Sequence, residues 1–162
     1  MDKFNLDRFL DGQRFGYETA LQEIRNGKKE NHWIWYVFPQ LKGLGKSPNS
    51  NSNYYGITGI EEAKAYLEHP VLGARLREAC TALLEQSPST VQDMFKGVDF
   101  LKLCSSMTLF DAACPDGLFG EVLKEFFDNR KDPITMRMLG ESICQVSAGL
   151  QTKCGQYREQ IQ

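Results

Sequence analysis

The sequence predicts an all-α fold: one compact domain of about seven helices with an aromatic- and glycine-rich loop region. Three observations predict it. Apolar residues recur at three- and four-residue steps along most of the chain. Ser, Thr, Asp and Pro stand where such runs begin, and Gly or Pro where they stop. No internal repeat and no alternation of strand-like with helix-like segments interrupts the pattern. At 162 residues the chain suits a single domain that buries a core without staples.

The elements follow in order. Residues 5–26 form an amphipathic helix with Leu6, Phe9, Leu10, Gln13, Tyr17, Ala20, Leu21 and Ile24 inward. Asn5 suits its N-cap and Gly27 its stop. Gly12 and Gly16 weaken the middle, and let another backbone come close. Residues 32–38, HWIWYVF, are apolar on every side; a short helix fits better than a strand, since no partner strand is evident. Residues 40–53 form a loop. Thr58 to Glu61 fits a capping box opening a helix with Ile60, Ala63, Tyr66 and Leu67 on one face. His69-Pro70 breaks it, and a helix over 70–86 follows with Val71, Leu72, Leu76, Ala79, Cys80, Leu83 and Leu84 inward. Ser89 caps a short helix ending near Gly97. Asp99 opens one stopped before Pro115, Asp116 caps 117–128, and Asp132-Pro133 starts another through Leu139. Residues 141–162 read as a tail, helical or frayed.

Composition excludes several function classes. A net charge of -2 gives no bulk attraction to nucleic acid or to an anionic membrane. The acids in the first fifteen residues are unlike a signal peptide, and no apolar run approaches the length of about 20 residues that spans a bilayer. A cytoplasmic protein is expected. The five cysteines are widely spaced and the histidines number two, so no zinc ligand set forms and no metal or other cofactor is expected. Reduced, mostly buried thiols are the simpler reading.

The stretch Lys28 to Ser47 concentrates the chemistry. Gly45-Lys46-Ser47 has the look of a phosphate loop, but Gln40 stands where that motif needs glycine, and Pro48 follows where it needs a helix. A looser anion-binding turn over Gly43 to Ser47 is left. Lys28, Lys29, Lys42 and Lys46 meet one acid, Glu30, so this stretch is positive in an acidic chain. Trp33 and Trp35 either stack a planar ring beside those lysines or fill the core. His32 suits an acid–base role or a backbone hydrogen bond, whereas His69 suits a helix cap. Glu61 is explained by the helix dipole; Glu62, one turn from Tyr66, is less so. Asp99, Lys102, Ser105 and Ser106 share one face, either solvated or the polar wall of a cleft. Their spacing admits a Ser–Lys pair, but nothing supplies an oxyanion hole.

Together R-F at 14–15, G-K at 27–28, H-W-x-W-Y-x-F-P-Q at 32–40, G-L-G-x-S at 43–47, E-A-x-x-Y-L at 62–67, H-P-V-L-G-x-R-L at 69–76 and D-x-x-K-x-x-S-S-M-T-L-F at 99–110 resemble an uncharacterised bacterial family, domain of unknown function 1810. The likeness runs over residues 9–140 and takes in Asp132 and Thr135. It implies a helical domain over 1–140, with 141–162 a tail of the same domain. Some members of that family carry the label calpastatin; this chain reads as folded, whereas such inhibitors are long, disordered and repetitive. A pocket lined by Trp, Lys and Glu is also similar, by analogy, to the YbiA-like proteins linked to ADP-ribose chemistry. The resemblance assigns a shared pocket to Lys28, His32, Trp33, Trp35, Gln40, Ser47, Glu62, Tyr66, Arg75, Asp99, Lys102, Ser105 and Ser106.

The expected function is a small enzyme or binder for a phosphorylated, nucleotide-like ligand. Trp33 and Trp35 wall the site, and Lys28, Arg75 and Lys102 neutralise phosphate. Ser47 and the backbone from Gly43 to Gly45 assist, and Glu62 or His32 serves as the acid–base group. The alternative is a non-catalytic protein-interaction module with exposed tryptophans and an internal polar network that does no chemistry. No protein partner is identified, and no nucleic acid or membrane is expected to be one.

Overall fold

The first helix already departs from its expected start. In the computed structural model, which describes residues 3–44, 51–115 and 117–146 (backbone alone at 52 and 141–146), α1 runs Asp7–Asn26. Asn5 does not cap it. Asn5 takes a positive φ of 52°, and Arg8 Nη1 binds the Phe4 and Asn5 carbonyls at 2.6 and 2.8 Å, so the entry segment is turned by a guanidinium instead of a cap. The C-terminal end is as expected. Gly27 adopts φ 72°, and the N–H groups of Gly27 and Lys28 return to the Ile24 and Glu23 carbonyls, satisfying carbonyls the helix leaves over.

The remaining helices are α2 Ile34–Val37, α3 Asn51–Tyr54, α4 Ile60–Glu68, α5 Leu72–Leu84, α6 Pro88–Met94, α7 Val98–Ala113, α8 Leu118–Phe127 and α9 Pro133–Val146. Two of these nine, α2 and α3, are single turns, so seven longer helices stand among the described residues. HWIWYVF holds the one-turn α2, and the last expected helix extends past Leu139. No strand occurs among the described residues. One parallel bridge joins Leu41 to Ile57, with Lys42 N–H on the Ile57 carbonyl at 2.8 Å and Ile57 N–H on the Gln40 carbonyl at 2.9 Å.

Capping chemistry explains most boundaries. Thr58 sits one residue earlier than a capping box requires: α4 starts at Ile60 behind Gly59. Glu62, not Glu61, therefore reaches back, accepting from Thr58 N–H and from its hydroxyl, both at 2.9 Å. His69 Nδ1 accepts from Val71 and Leu72 N–H and starts α5 at Leu72 instead of Pro70, leaving Val71 exposed where the periodicity had it inward. Ser87, not Ser89, caps α6, taking Thr90 N–H with Pro88 in the first turn. Asp132 caps α9, accepting from Thr135 N–H at 2.9 Å. The cap expected at Asp116 lies outside the described residues.

The packing places α7 at the centre, against α2, α4, α8 and α9, with α1 on α5 and α2, α4 and α8 on α5, and α6 on α8. One contiguous core results, including Phe9, Ile24, Trp33, Phe38, Tyr66, Phe95, Phe110 and Phe119. Because neighbours surround α7, its polar residues Ser105, Ser106, Thr108 and Asp111 are buried as well. Ser105 Oγ donates to the Leu101 carbonyl at 3.0 Å. Thr108 Oγ1 donates to the Cys104 carbonyl and accepts Asp132 N–H. Ser106 Oγ has no partner among the described residues. Of the thiols described, Cys80 is buried, Cys104 half-buried and Cys114 exposed, and all three are free. Burial pushes the Cys104 thiol up to about 11.

Candidate functional site

A cleft of about 640 Å³ opens between the start of α1 and the segment 53–58, and Lys3, Phe4, Asn5, Arg8, Lys42, Asn53, Tyr54, Gly56, Thr58 and Glu62 line it. Its floor is a buried ion pair, Arg8 Nη2 to Glu62 Oε2 at 2.6 Å. All five guanidinium N–H groups are used. Besides the Phe4 and Asn5 carbonyls, Nε donates to the Tyr54 carbonyl at 3.0 Å and Nη2 to the Gly56 carbonyl at 2.7 Å. The two walls of the cleft are thus tied to one side chain, as the fixed fork of arginine allows. Glu62 has both oxygens engaged, one by Arg8 and one by Thr58. The floor is electrically closed, and the unneutralised charge lies at the rim. Lys42 has no carboxylate within ion-pair distance among the described residues, and Lys3 has only the exposed Glu61 at 3.8 Å. Tyr54, 59% exposed, gives the cleft an aromatic wall.

A second cluster occupies another face. Lys28, His32 and Asp99 line a groove of about 560 Å³ with Asp93 and Lys96. Next to it Lys102 Nζ stands 5.6 Å from the Trp35 ring centre, and His32 stacks loosely on that ring at 6.3 Å. Trp35, Gln40 and Lys102 line a crevice of about 10 Å³ with Ile34 and Phe38, room for one water and no more. Lys28 faces Glu30 at 3.6 Å, both exposed. Lys29, the neighbour that sequence reasoning passed over, is the buried lysine; it pairs with Asp99 at 3.3 Å and lies 5.0 Å over Trp33.

Glu23 organises that turn from beneath. Its carboxylate accepts from Glu30 N–H, Asn31 N–H, Asn31 Nδ2 and the Trp33 indole. Burial works to raise its pKa, but the Asn31 and Trp33 side chains and the two backbone N–H groups outweigh burial and hold it down to about 2. Trp33 is 1% exposed and edge-on to Phe95 at 5.8 Å. With Trp35 half-buried, the exposed tryptophans that an interaction surface would show are not present.

A third group is internal. Gln13 Nε2 donates to the Tyr36 carbonyl at 2.6 Å and to Tyr66 Oη at 3.1 Å, while Arg75 Nη1 donates to Gln13 Oε1 at 3.3 Å. Arg75 also lies 5.1 Å over Tyr17, whose hydroxyl donates to Glu78 at 2.6 Å. Burial above all, with Glu78 adding to it, pushes the Tyr17 phenol far up; burial does the same to Tyr66.

The sequence-predicted residues therefore fall in separate places. Lys28, His32, Trp35, Gln40, Asp99 and Lys102 share one face, with Trp33 in the core beneath it. Glu62 lines the large cleft. Tyr66 and Arg75 join the internal network, and Ser105 and Ser106 are sealed in α7, with no hydrogen bond from Lys102 to either. Gly43 is exposed, its N–H on Asn53 Oδ1 at 3.1 Å; Gly45 and Ser47 lie outside the described residues. Sequence reasoning missed Arg8, Asn53 and Tyr54, and placed Lys42 only among the lysines beside the tryptophans. The available signal for Arg8 was the charge at position 8 beside the apolar stripe of α1. Among the described residues no set of three or more His, Cys, Asp and Glu side chains is placed to hold a metal, and no helix is long and apolar enough to cross a membrane.

Comparison with known proteins agrees with the fold. Residues 3–139 match the family model described as a protein of unknown function, DUF1810. The chain is 41% identical to the conserved hypothetical protein Rv1873 from Mycobacterium tuberculosis, whose crystal structure superposes with a TM-score of 0.79 over 85% of this chain and 98% of that one. No curated protein matches it.

Proposed function

The chain belongs to the DUF1810 family of proteins of unknown function, and from this premise and the geometry of the cleft at the start of α1 we propose that it binds a phosphorylated, nucleotide-like ligand over the Arg8–Glu62 pair. The observation that carries the reading is the charge of that cleft. Three cationic side chains line it against one carboxylate, and that carboxylate is already neutralised by Arg8, in a chain whose net charge is -2. Lys3 and Lys42 line the opening and supply positive charge for phosphate, and Asn5, Asn53 and Thr58 offer amides and a hydroxyl for a sugar. Tyr54 gives a ring for a base to lie against. The volume is in the range that holds small ligands, roughly 300–1,000 Å³.

The reading is one of binding. Glu62 serves the floor through Arg8 and Thr58, so an acid–base role at this cleft has no free carboxylate behind it. Phosphate recognition falls to Lys3 and Lys42 in place of Lys28, Arg75 and Lys102, which stand elsewhere. Thermal unfolding of the whole chain with AMP, ADP or a sugar phosphate tests the proposal. A genuine ligand at about 100 times its Kd adds about 2.7 kcal/mol, and Lys42→Ala removes that gain. No stabilisation by any of these probes, or a gain that Lys42→Ala and Tyr54→Ala leave intact, overturns it.

A further inference from the structure

Two aromatic residues line the cleft: Phe4, ahead of α1, and Tyr54, which ends α3. Arg8 fixes the backbone of both. Its Nη1 donates to the Phe4 carbonyl at 2.6 Å and its Nε to the Tyr54 carbonyl at 3.0 Å. Both nitrogens belong to one rigid guanidinium, so the two carbonyl oxygens stand within about 8 Å of each other. The chain turns directly after Phe4. Asn5 takes a φ of 52°, a region that residues other than glycine visit uncommonly, and Nη1 holds its carbonyl too, at 2.8 Å. The rings are not packed on each other. Phe4 is half-buried against the core, and its ring meets the Lys3 ammonium at 5.2 Å. Tyr54 is exposed, and its ring meets Tyr55 edge-on at 4.8 Å between centres. Two residues with anchored backbones thus border one open volume without ring contact between them.

Resting on the nucleotide-like reading of the cleft, we propose that Phe4 and Tyr54 form a clamp that takes the base of a nucleoside phosphate between their rings, with Arg8 as the positioning residue that sets the gap. Stacking needs only a flat π face, so the clamp recognises the presence of a base more than its hydrogen-bonding edge. Lys3 links the two halves of the ligand. Its side chain is exposed, and its contact with the Phe4 ring is of the weak, solvated kind. Drawn to the phosphate, it yields that ring to the base. The ligand class narrows to an intact nucleotide, in place of a sugar phosphate without a base.

Isothermal titration of the full chain with AMP and with ribose 5-phosphate tests this. Both carry the same phosphate monoester, so charge alone gives equal affinities. The expected result is AMP binding about tenfold tighter or more, with that ratio falling at least threefold in Phe4→Leu and, separately, in Tyr54→Ala. Tyr54→Phe keeps the ring and keeps the ratio. Leucine at position 4 preserves an apolar contact with the core, Tyr54 is exposed, and circular dichroism checks that each variant folds. AMP binding no tighter than ribose 5-phosphate overturns the clamp and leaves the phosphate reading of the cleft standing. A preference that survives Phe4→Leu or Tyr54→Ala, or one that Tyr54→Phe abolishes, does the same. Binding of neither probe overturns both.

Discussion

Gly16 decides where Tyr36 can lie, and its replacement is a sharp test at the scale of a single residue. A methyl group there would overlap the phenol, and Tyr36 is held from the other side by its carbonyl on Gln13. Gly16→Ala gains helix propensity of up to about 1 kcal/mol, but forces a packed ring to move, which costs about 1–3 kcal/mol. The expected outcome is a net loss in chemical denaturation, together with a changed tyrosine environment in near-ultraviolet circular dichroism. Ser106 gives the opposite sign. Its hydroxyl is buried with no partner among the described residues, so Ser106→Ala raises stability by about 1 kcal/mol and leaves ligand binding intact. Glu23 ties stability to pH. Its folded pKa is depressed to about 2, so its contribution is complete above the ordinary carboxylate value of 4.5, and drains away as pH falls from there towards 2. Glu23→Gln should flatten the stability–pH curve in that window, measured by urea unfolding, while weakening the fold at neutral pH through the donors it leaves short of an acceptor.

At the scale of an element, the helices were legible because their ends are chemical. Gly27, Pro88, Asp132 and Pro133 each do what their residue type dictates, and these boundaries held to within a residue or two. The misses at the starts of α1 and α4 share one cause, which is that another side chain within four residues took the role of the expected cap. Arg8 took the Phe4 and Asn5 carbonyls, and Glu62 in place of Glu61 reached back to Thr58. α7 was misread in another way. A face carrying Asp99, Lys102, Ser105 and Ser106 reads as solvated or as the wall of a cleft, whereas Ser105 and Ser106 are buried among the helices around α7. The caps remain measurable. Asp132→Ala removes the oxygen that accepts Thr135 N–H and should lower stability by about 1 kcal/mol, read as a shift in denaturation midpoint at constant slope.

Across the whole molecule, the candidate residues divide between faces because the chain is helical. Residues adjacent in sequence point in different directions around a helix, so a signature gathered from three stretches need not gather in space. His32, Trp35 of α2 and Lys102 of α7 stand beside one another, and Lys28 lines the groove that His32 also lines. Glu62 went to the cleft at the start of α1, while Tyr66, one turn away, went to the core. The division predicts independence between sites with no shared partner. Lys102→Ala should leave AMP affinity unchanged, whereas Lys42→Ala should weaken it about tenfold, or about 1.4 kcal/mol. Titration calorimetry on the two variants decides it.

The Arg8 clamp also sets an order of events during synthesis. Its partners Tyr54, Gly56 and Glu62 lie 46, 48 and 54 residues further along the chain. A nascent chain emerging from the ribosome can wind α1 early, but the guanidinium stays hydrated until Glu62 has left the exit tunnel. The cleft is therefore built in one late stroke, when a single side chain draws both of its walls together.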